Sequence, residues 1–188
     1  ADYPDNAQYA NDSWQISIMS YFSQSENTFI DADFAYVVTP MIADILAIQQ
    51  LYGTAGTIRT GDTTYGNNST AGGYYDEFTS TAEPIAYTII DDGGTDWLDF
   101  SNTSAAQYID LNGGASSDVN GLKGNLVIYT TTVIENAYSG AGDDSIVGND
   151  AGNYIVGGAG RDTIRGGGCF VILSGQEGFD VLTGGSDQ

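Results

Sequence analysis

Five positions nine residues apart carry the chemistry of this sequence: Asp144, Asn153, Asp162, Val171 and Asp180, each two residues before a large aliphatic, Ile146, Ile155, Ile164, Leu173 or Leu182. A unit of turn residues and one short strand reverses the chain once, so two units close a coil and each repeat stacks on the next but one. Parallel neighbours in such a stack lie about 4.8 Å apart, which brings the aspartates of successive coils face to face. Two carboxylates that close repel each other unless a hard cation sits between them. Calcium accepts the arrangement, taking carboxylate oxygens together with exposed turn carbonyls at about 2.3–2.6 Å.

Phase along the coil predicts an asymmetry. The odd repeats bring Asp144, Asp162 and Asp180 to one edge, whereas the even repeats bring Asn153 and Val171 to the other. Well-formed cation sites are expected on the first edge and weak or absent ones on the second. The single aliphatic of each strand points inward and fills a narrow core, and glycines line turns that need positive φ. The pattern resembles the G-G-x-G-x-D-x-U-x calcium-binding repeat of RTX proteins. That resemblance implies ligands at Gly140, Gly142, Asp144, Gly157, Ala159 and Asp162, and at Gly158, Gly160, Gly175, Glu177 and Asp180. Repeat four, "GGGCFVILS", departs from it: Cys169 replaces a turn glycine and Val171 the aspartate. Cys169 itself reads as a small buried residue.

The elements that position these turns differ along the chain. "WQISIMSYF" alternates Trp14, Ile16 and Ile18 with polar residues and predicts a short half-buried strand. "TPMIADILAIQQLYG" predicts a helix with Thr39 as N-cap, Pro40 in the first turn and Gly53 after the end. Its Met41, Ile45, Ile48 and Tyr52 form one core-seeking face. Beyond Gly53 the helical period stops, and "IAYTII", "QYIDL" and "NLVIYTTTVI" read as strands. The boundary is placed near residues 53–60, giving units of residues 1–58 and 59–188.

Composition bounds the function. The 188 residues hold 25 acidic against 4 basic side chains, a formal net charge of −21, which argues against nucleic acid and anionic membrane surfaces as partners. One cysteine excludes an internal disulfide, no 18-residue apolar run provides a transmembrane helix, and no signal peptide opens the sequence. The absence of histidine removes the usual zinc ligand and every Ser-His or Cys-His arrangement.

At "SIMSYF" and "PMIADILAIQQLYG" the chain resembles the serralysins, secreted zinc metalloproteases of the metzincin group whose catalytic domain precedes a calcium-loaded β-roll. The resemblance spans essentially all of the sequence. It implies a mainly β chain: the tail of a metzincin α+β catalytic domain, then a right-handed parallel β-roll of nonapeptide repeats. Residues 17–22 become the family's Met-turn. Met19 is then the hydrophobic floor beneath the zinc, and Tyr21 a phenol that ligates zinc and stabilises the tetrahedral intermediate. The family's zinc helix, H-E-x-x-H-x-x-G-x-x-H, does not occur here.

Because a segment resembling "ADYPD" follows that helix closely in serralysins, the chain is expected to begin just after it and to stop within the roll. It then reads as an internal or proteolytic fragment, or an incompletely recorded sequence. A second group of family calcium positions falls on Arg59, Gly61 and Thr63 in "RTGDT" and on Asp91, Gly93, Gly94 and Asp96 in "DDGGTD". Glu135 contributes near the start of the roll, with Val133 where the family has Thr.

The resemblance thus implies several calcium ions and one zinc held mostly by residues upstream of Ala1. It also implies protein or peptide substrates, the missing catalytic segment or a protein inhibitor as partners, and export without a signal peptide. Two other readings stay open: a non-catalytic calcium-binding structural or secretion module, and a β-helix glycosidase or lyase using Asp91, Asp92, Asp96 and Asp99 as paired carboxylates.

Overall fold

The β-branched and aromatic runs beyond Gly53 become short strands that stack in parallel, as runs with one buried face and turn residues at both ends should. A computed structural model describes residues 12–20, 22–54, 56–77, 82–168 and 170–185. In chain order these hold β1 (Tyr36–Val37), helix α1 (Ile42–Tyr52), β2 (Thr64–Gly66), β3 (Ile85–Ile89), β4 (Trp97–Asp99), β5 (Tyr108–Asp110), β6 (Ser116–Val119) and β7 (Leu122–Ile128). The nonapeptide region adds β8 (Asn136–Gly140), β9 (Ser145–Val147), β10 (Asn153–Gly160), β11 (Thr163–Arg165), β12 (Val171–Gly178) and β13 (Val181–Thr183).

Two sheets result, ordered β1-β3-β7-β6-β5-β9-β11-β13 and β12-β10-β8-β4-β2. Among the described residues only the pairs of β6 with β5 and β7 are antiparallel. In the repeat region the register advances by two nonapeptides: Ile146 pairs Ile164, which pairs Leu182, while Ile155 pairs Leu173. The expected coil is therefore present, with odd repeats in one sheet and even repeats in the other: a parallel β-roll.

The core lies between the two sheets. Tyr65, Leu98, Ala137 and Ile155 make one inward row and Ile109, Ile146 and Ile164 the other, all fully buried. Each such aliphatic contributes about 1.5–3 kcal/mol of burial. The rows fade toward the last coil, where Leu173 is partly buried and Leu182 is 45 % exposed. Glycine is required where turns of successive coils touch. Gly158 and Gly160 have φ of +117° and +131°, and a Cβ on either would fall 1.8 or 2.2 Å from the Gly140 or Gly142 carbonyl oxygen below it.

The N-terminal segment differs from expectation in two places. Residues 13–19 form turns rather than a strand, because the Ile16 and Ser17 N–H groups both donate to the Ser13 carbonyl and the Asp44 carboxylate accepts from Ser17 Oγ (2.6 Å) and the Ile18 N–H (2.9 Å). Helix α1 starts two residues later than predicted. Asp44 also accepts the Met41 N–H at 2.9 Å, so Met41 is the cap residue, and the Thr39 hydroxyl instead accepts the Thr88 N–H. Gly53 ends the helix at φ +79° as expected. Of the predicted face, Met41 and Ile45 are buried, whereas Ile48 and Tyr52 are exposed. Through β1 this segment adds a parallel strand beside β3, and Lys123 on β7 exchanges main-chain and carboxylate hydrogen bonds with Asp33.

Candidate metal centres in the turn edges

Each coil of the roll turns twice, and the two lines of turns form two edges. On the edge that leads into β5, β9, β11 and β13, one hydrogen bond repeats from coil to coil. The Gln107 N–H donates to Asp144 Oδ1 (2.8 Å), the Asp144 N–H to Asp162 Oδ1 (3.0 Å) and the Asp162 N–H to Asp180 Oδ1 (3.0 Å). The expected face-to-face stacking of Asp144, Asp162 and Asp180 is thus present, 18 residues apart. One oxygen of each carboxylate fixes the register of the next coil, which leaves the other for something else.

That second oxygen is what makes the edge a candidate metal centre. Oδ2 of Asp144 and of Asp162 is buried and has no hydrogen-bond partner, although the side chains are only 3 % and 1 % exposed. A buried carboxylate oxygen left bare costs far more than a neutral polar group. Burial pushes the Asp144 carboxyl up to about 6, and the charges of Asp162 and Asp143 add to it. Asp162 is raised as well, first by burial and then by the charges of Asp180 and Asp143.

A hard cation such as calcium would remove both penalties by adding positive charge and filling the bare position. Main-chain oxygens are close at hand, because β8, β10 and β12 stack Gly140 on Gly158, Ala159 on Glu177, and Gly160 on Gly178. The Gly157 carbonyl accepts from Ser139 Oγ at 2.8 Å. Gly157 and Gly175 also leave room for the acids, since a Cβ on either would fall 2.1 Å from Oδ2 of Asp162 or Asp180. Among the described residues no three His, Cys, Asp or Glu side chains converge on one point, so a metal on this edge would need main-chain carbonyls beside its carboxylates.

The other edge leads into β2, β4, β8, β10 and β12 and begins in the same way. The Thr63 N–H donates to Asp96 Oδ1 and the Asp96 N–H to Glu135 Oε2, both at 2.8 Å. Asp96 is fully buried with Oδ2 bare, and burial, reinforced by Asp91, Glu135 and Asp62, lifts its carboxyl to about 6. Around it stand the other expected positions. Gly94 packs its backbone on Gly61, where a Cβ would fall 2.6 Å away, and Arg59 adopts φ +47°. Asp91 is engaged through both oxygens, with the Tyr65 hydroxyl at 2.7 Å and the Gly93 N–H at 3.1 Å. Val133 is half exposed.

Further along this edge the carboxylates give out. Asn153 stands 18 residues after Glu135 and Val171 18 after that. Asn153 Nδ2 donates to the Glu135 carbonyl and to Asn149 Oδ1, both at 3.0 Å, so here the expectation of a weak or absent site meets an edge already closed by amides. The role of Asn149 was not read from the sequence. Its signal is the pair of asparagines four apart in "GNDAGN", each within one turn. The continuity of Asp96, Glu135 and Asn153 was also missed, because a 39-residue excursion through β5, β6 and β7 separates the first two.

The four carboxylates of the glycosidase reading are each engaged by the fold, Asp91 as described above. Asp92 accepts the Ile58 N–H, Asp96 the Thr63 N–H, and Asp99 both the Ser101 N–H and Asn68 Nδ2. Met19 lies in the turn beside α1, with its N–H on Ser17 Oγ and its side chain 84 % exposed. Tyr21 and Cys169 lie outside the described residues. With no histidine in the sequence, the residues present do not make up a zinc site.

Residues 54–179 match the family described as peptidase M10 serralysin C terminal. The chain is 45% identical over 153 residues to metallopeptidase AprA of Pseudomonas marginalis, covering 80% of this chain and 32% of that protein. It is 46% identical over 145 residues to serralysin B of Dickeya chrysanthemi, covering 77% and 30%. Serralysin of Proteus mirabilis is 44% identical over 147 residues, covering 78% and 30%. The chain therefore spans about a third of the length of these relatives. With most of its length matched and the parallel roll formed, the chain belongs to the peptidase M10 serralysin C-terminal family.

Proposed function

We propose that this chain is the calcium-binding C-terminal part of a secreted zinc metalloendopeptidase, and that its own work is to fold as a calcium-loaded roll. Residues 59–188 make the roll and residues 1–58 are the tail of the catalytic domain. The observation that carries this is the repeated bare carboxylate oxygen at Asp96, Asp144 and Asp162, each on a turn whose neighbour presents main-chain oxygens. Asp144 and Asp162 share one ion with the carbonyls of Gly140, Gly142, Gly157 and Ala159. Asp162 and Asp180 share the next with Gly158, Gly160, Gly175 and Glu177. Asp96 with Asp91 and the carbonyls of Arg59, Gly61, Thr63, Gly93 and Gly94 holds a third, and Val133 and Glu135 contribute beside it.

The names of the relatives, metallopeptidase and serralysin, support proteolysis by the whole protein. The zinc and its general base are then held by other parts of that protein, with Tyr21 and Met19 contributing from this chain, and substrates are proteins or peptides. Because calcium binds only the folded roll, it stabilises by RT ln(1 + [L]/Kd) per site. That linkage supports export of an unfolded chain that folds on meeting calcium outside the cell. No helix among the described residues is long and apolar enough to cross a membrane. The absent zinc ligands favour a second reading for the chain taken alone, a calcium module without catalysis.

Metal analysis of the purified 188-residue chain after desalting tests this directly. Several calcium ions, no zinc and no cleavage of casein are expected, with cleavage returning in the full-length protein. A chain that folds and holds no calcium would overturn the reading.

A further inference from the structure

We infer that the Asn153 carboxamide is a built-in replacement for a calcium ion, closing the turn between β9 and β10 without metal and dividing the roll's cation sites into two separate groups. Asn153 occupies the acid position of its repeat, two residues before Ile155. A Cβ on Gly148, five residues earlier, would fall 2.5 Å from Asn153 Oδ1, as one on Gly157 would fall 2.1 Å from Asp162 Oδ2. Asn153 Oδ1 therefore stands where Asp162 Oδ2 stands, and the two oxygens differ in their partners.

Asp162 Oδ2 is bare, whereas Asn153 Oδ1 holds the Asn149 N–H. The other end of the Asn153 side chain is an N–H2 group with both hydrogens used, on the Glu135 carbonyl and on Asn149 Oδ1. Where Asp162 Oδ1 accepts the Asp144 N–H, Asn153 thus donates to Glu135, 18 residues back, and the turn carries no carboxylate charge of its own at this position. The remaining polar atoms are also engaged. Asn153 Oδ1 accepts the Asn149 N–H at 3.0 Å, and Asn149 Nδ2 donates to the carbonyls of Leu111 (3.0 Å) and Ile134 (2.8 Å). Both asparagines are buried, at 9 % and 3 % exposure, so this closure is fully satisfied and neutral. Glu135 marks the border: its carboxylate accepts the Asp96 N–H on one side, and its carbonyl takes the amide on the other.

The inference rests on the calcium reading of the aspartate edge, and the experiment separates the two. Amide exchange of the full chain is followed in chelator, and calcium stoichiometry is measured for wild type and Asn153→Asp. In chelator the Asn149 N–H should exchange roughly tenfold or more slowly than those of Asp144 and Asp162, because local opening of its turn does not involve losing a metal. Asn153→Asp replaces the donor by an oxygen facing two others, and should bind one calcium more than wild type. If Asn149 exchanges as fast as Asp144 and Asp162, or the variant folds and gains no ion, the inference is overturned. Wild type without calcium would instead sink the reading of Asp144, Asp162 and Asp180, whatever Asn149 does.

Discussion

Asp162 and Asn153 stand at equivalent points of consecutive turns, each against a glycine five residues earlier, and they differ by one atom of the side chain. The glycine-facing oxygen of Asp162 is buried without a partner; that of Asn153 accepts the Asn149 N–H, and the nitrogen beside it has two acceptors. The same contrast orders the whole roll. One edge runs from Gln107 through Asp144 and Asp162 to Asp180, so it gains carboxylates along the chain. The other runs from Asp96 through Glu135 and Asn153 to Val171, so it loses them. On the proposed reading, cation capacity is then concentrated at opposite ends of the two edges, and the middle of the second needs none.

Asp162→Ala should break the comparison most. It removes the carboxylate shared by two sites, so two calcium ions should be lost, at roughly 2.7 kcal/mol per site when calcium is a hundredfold above Kd. Calorimetry with metal analysis checks this, and loss of one ion or none would undo the sharing. Ile155→Ala opens a cavity beneath the amide-closed edge and should cost about 2–5 kcal/mol. That cost should be the same with calcium and in chelator, since Ile155 belongs to the core and no site. Asp180→Ala, with one site at stake, should lose a single ion and roughly 2.7 kcal/mol at the same saturation.

Acid should act oppositely on the two metal states. The Asp96 and Asp144 carboxyls sit near 6 in the folded metal-free chain, above about 3.9 for an unfolded aspartate. A raised carboxyl stabilises the fold below its unfolded value and loses that contribution as pH rises through its folded value. The metal-free chain should therefore become more stable as pH falls from 7 toward 4. Calcium affinity should weaken over the same interval, by up to about tenfold per pH unit for each proton displaced. Thermal melts at stepped pH with and without chelator read both slopes, and parallel slopes would remove these carboxylates from the ligand set. The smallest effect is expected at Asp143, whose exposed Oδ1 accepts the Arg161 N–H at 2.9 Å. Asp143→Ala should change stability by under about 1 kcal/mol.

The coil is legible in the sequence because its two signals repeat in phase: one inward aliphatic and one acid per nonapeptide, at Ile146 with Asp144 and Ile164 with Asp162. The asparagine edge is only half legible. Its lack of acids shows in the nine-residue count, but what replaces them depends on Asn149 reaching the carbonyls of Leu111 and Ile134, which belong to other coils. The turns around Met19 are misread for a related reason. Their alternating pattern is that of a strand, and the residue that bends them, Asp44, arrives 25 positions later on a helix. Local period finds what neighbours along the chain decide; tertiary hydrogen bonds decide the rest.

The two-nonapeptide register also governs how such a molecule can grow. Duplicating one nine-residue unit would carry every later acid across to the opposite edge, setting Asp180 into the line that now holds Asn153 and Val171. Duplicating two together would add a whole coil and leave each residue above its former partner. Lengthening is thus quantised in steps of 18 residues, and a genetic event that adds half a step scrambles both edges at once.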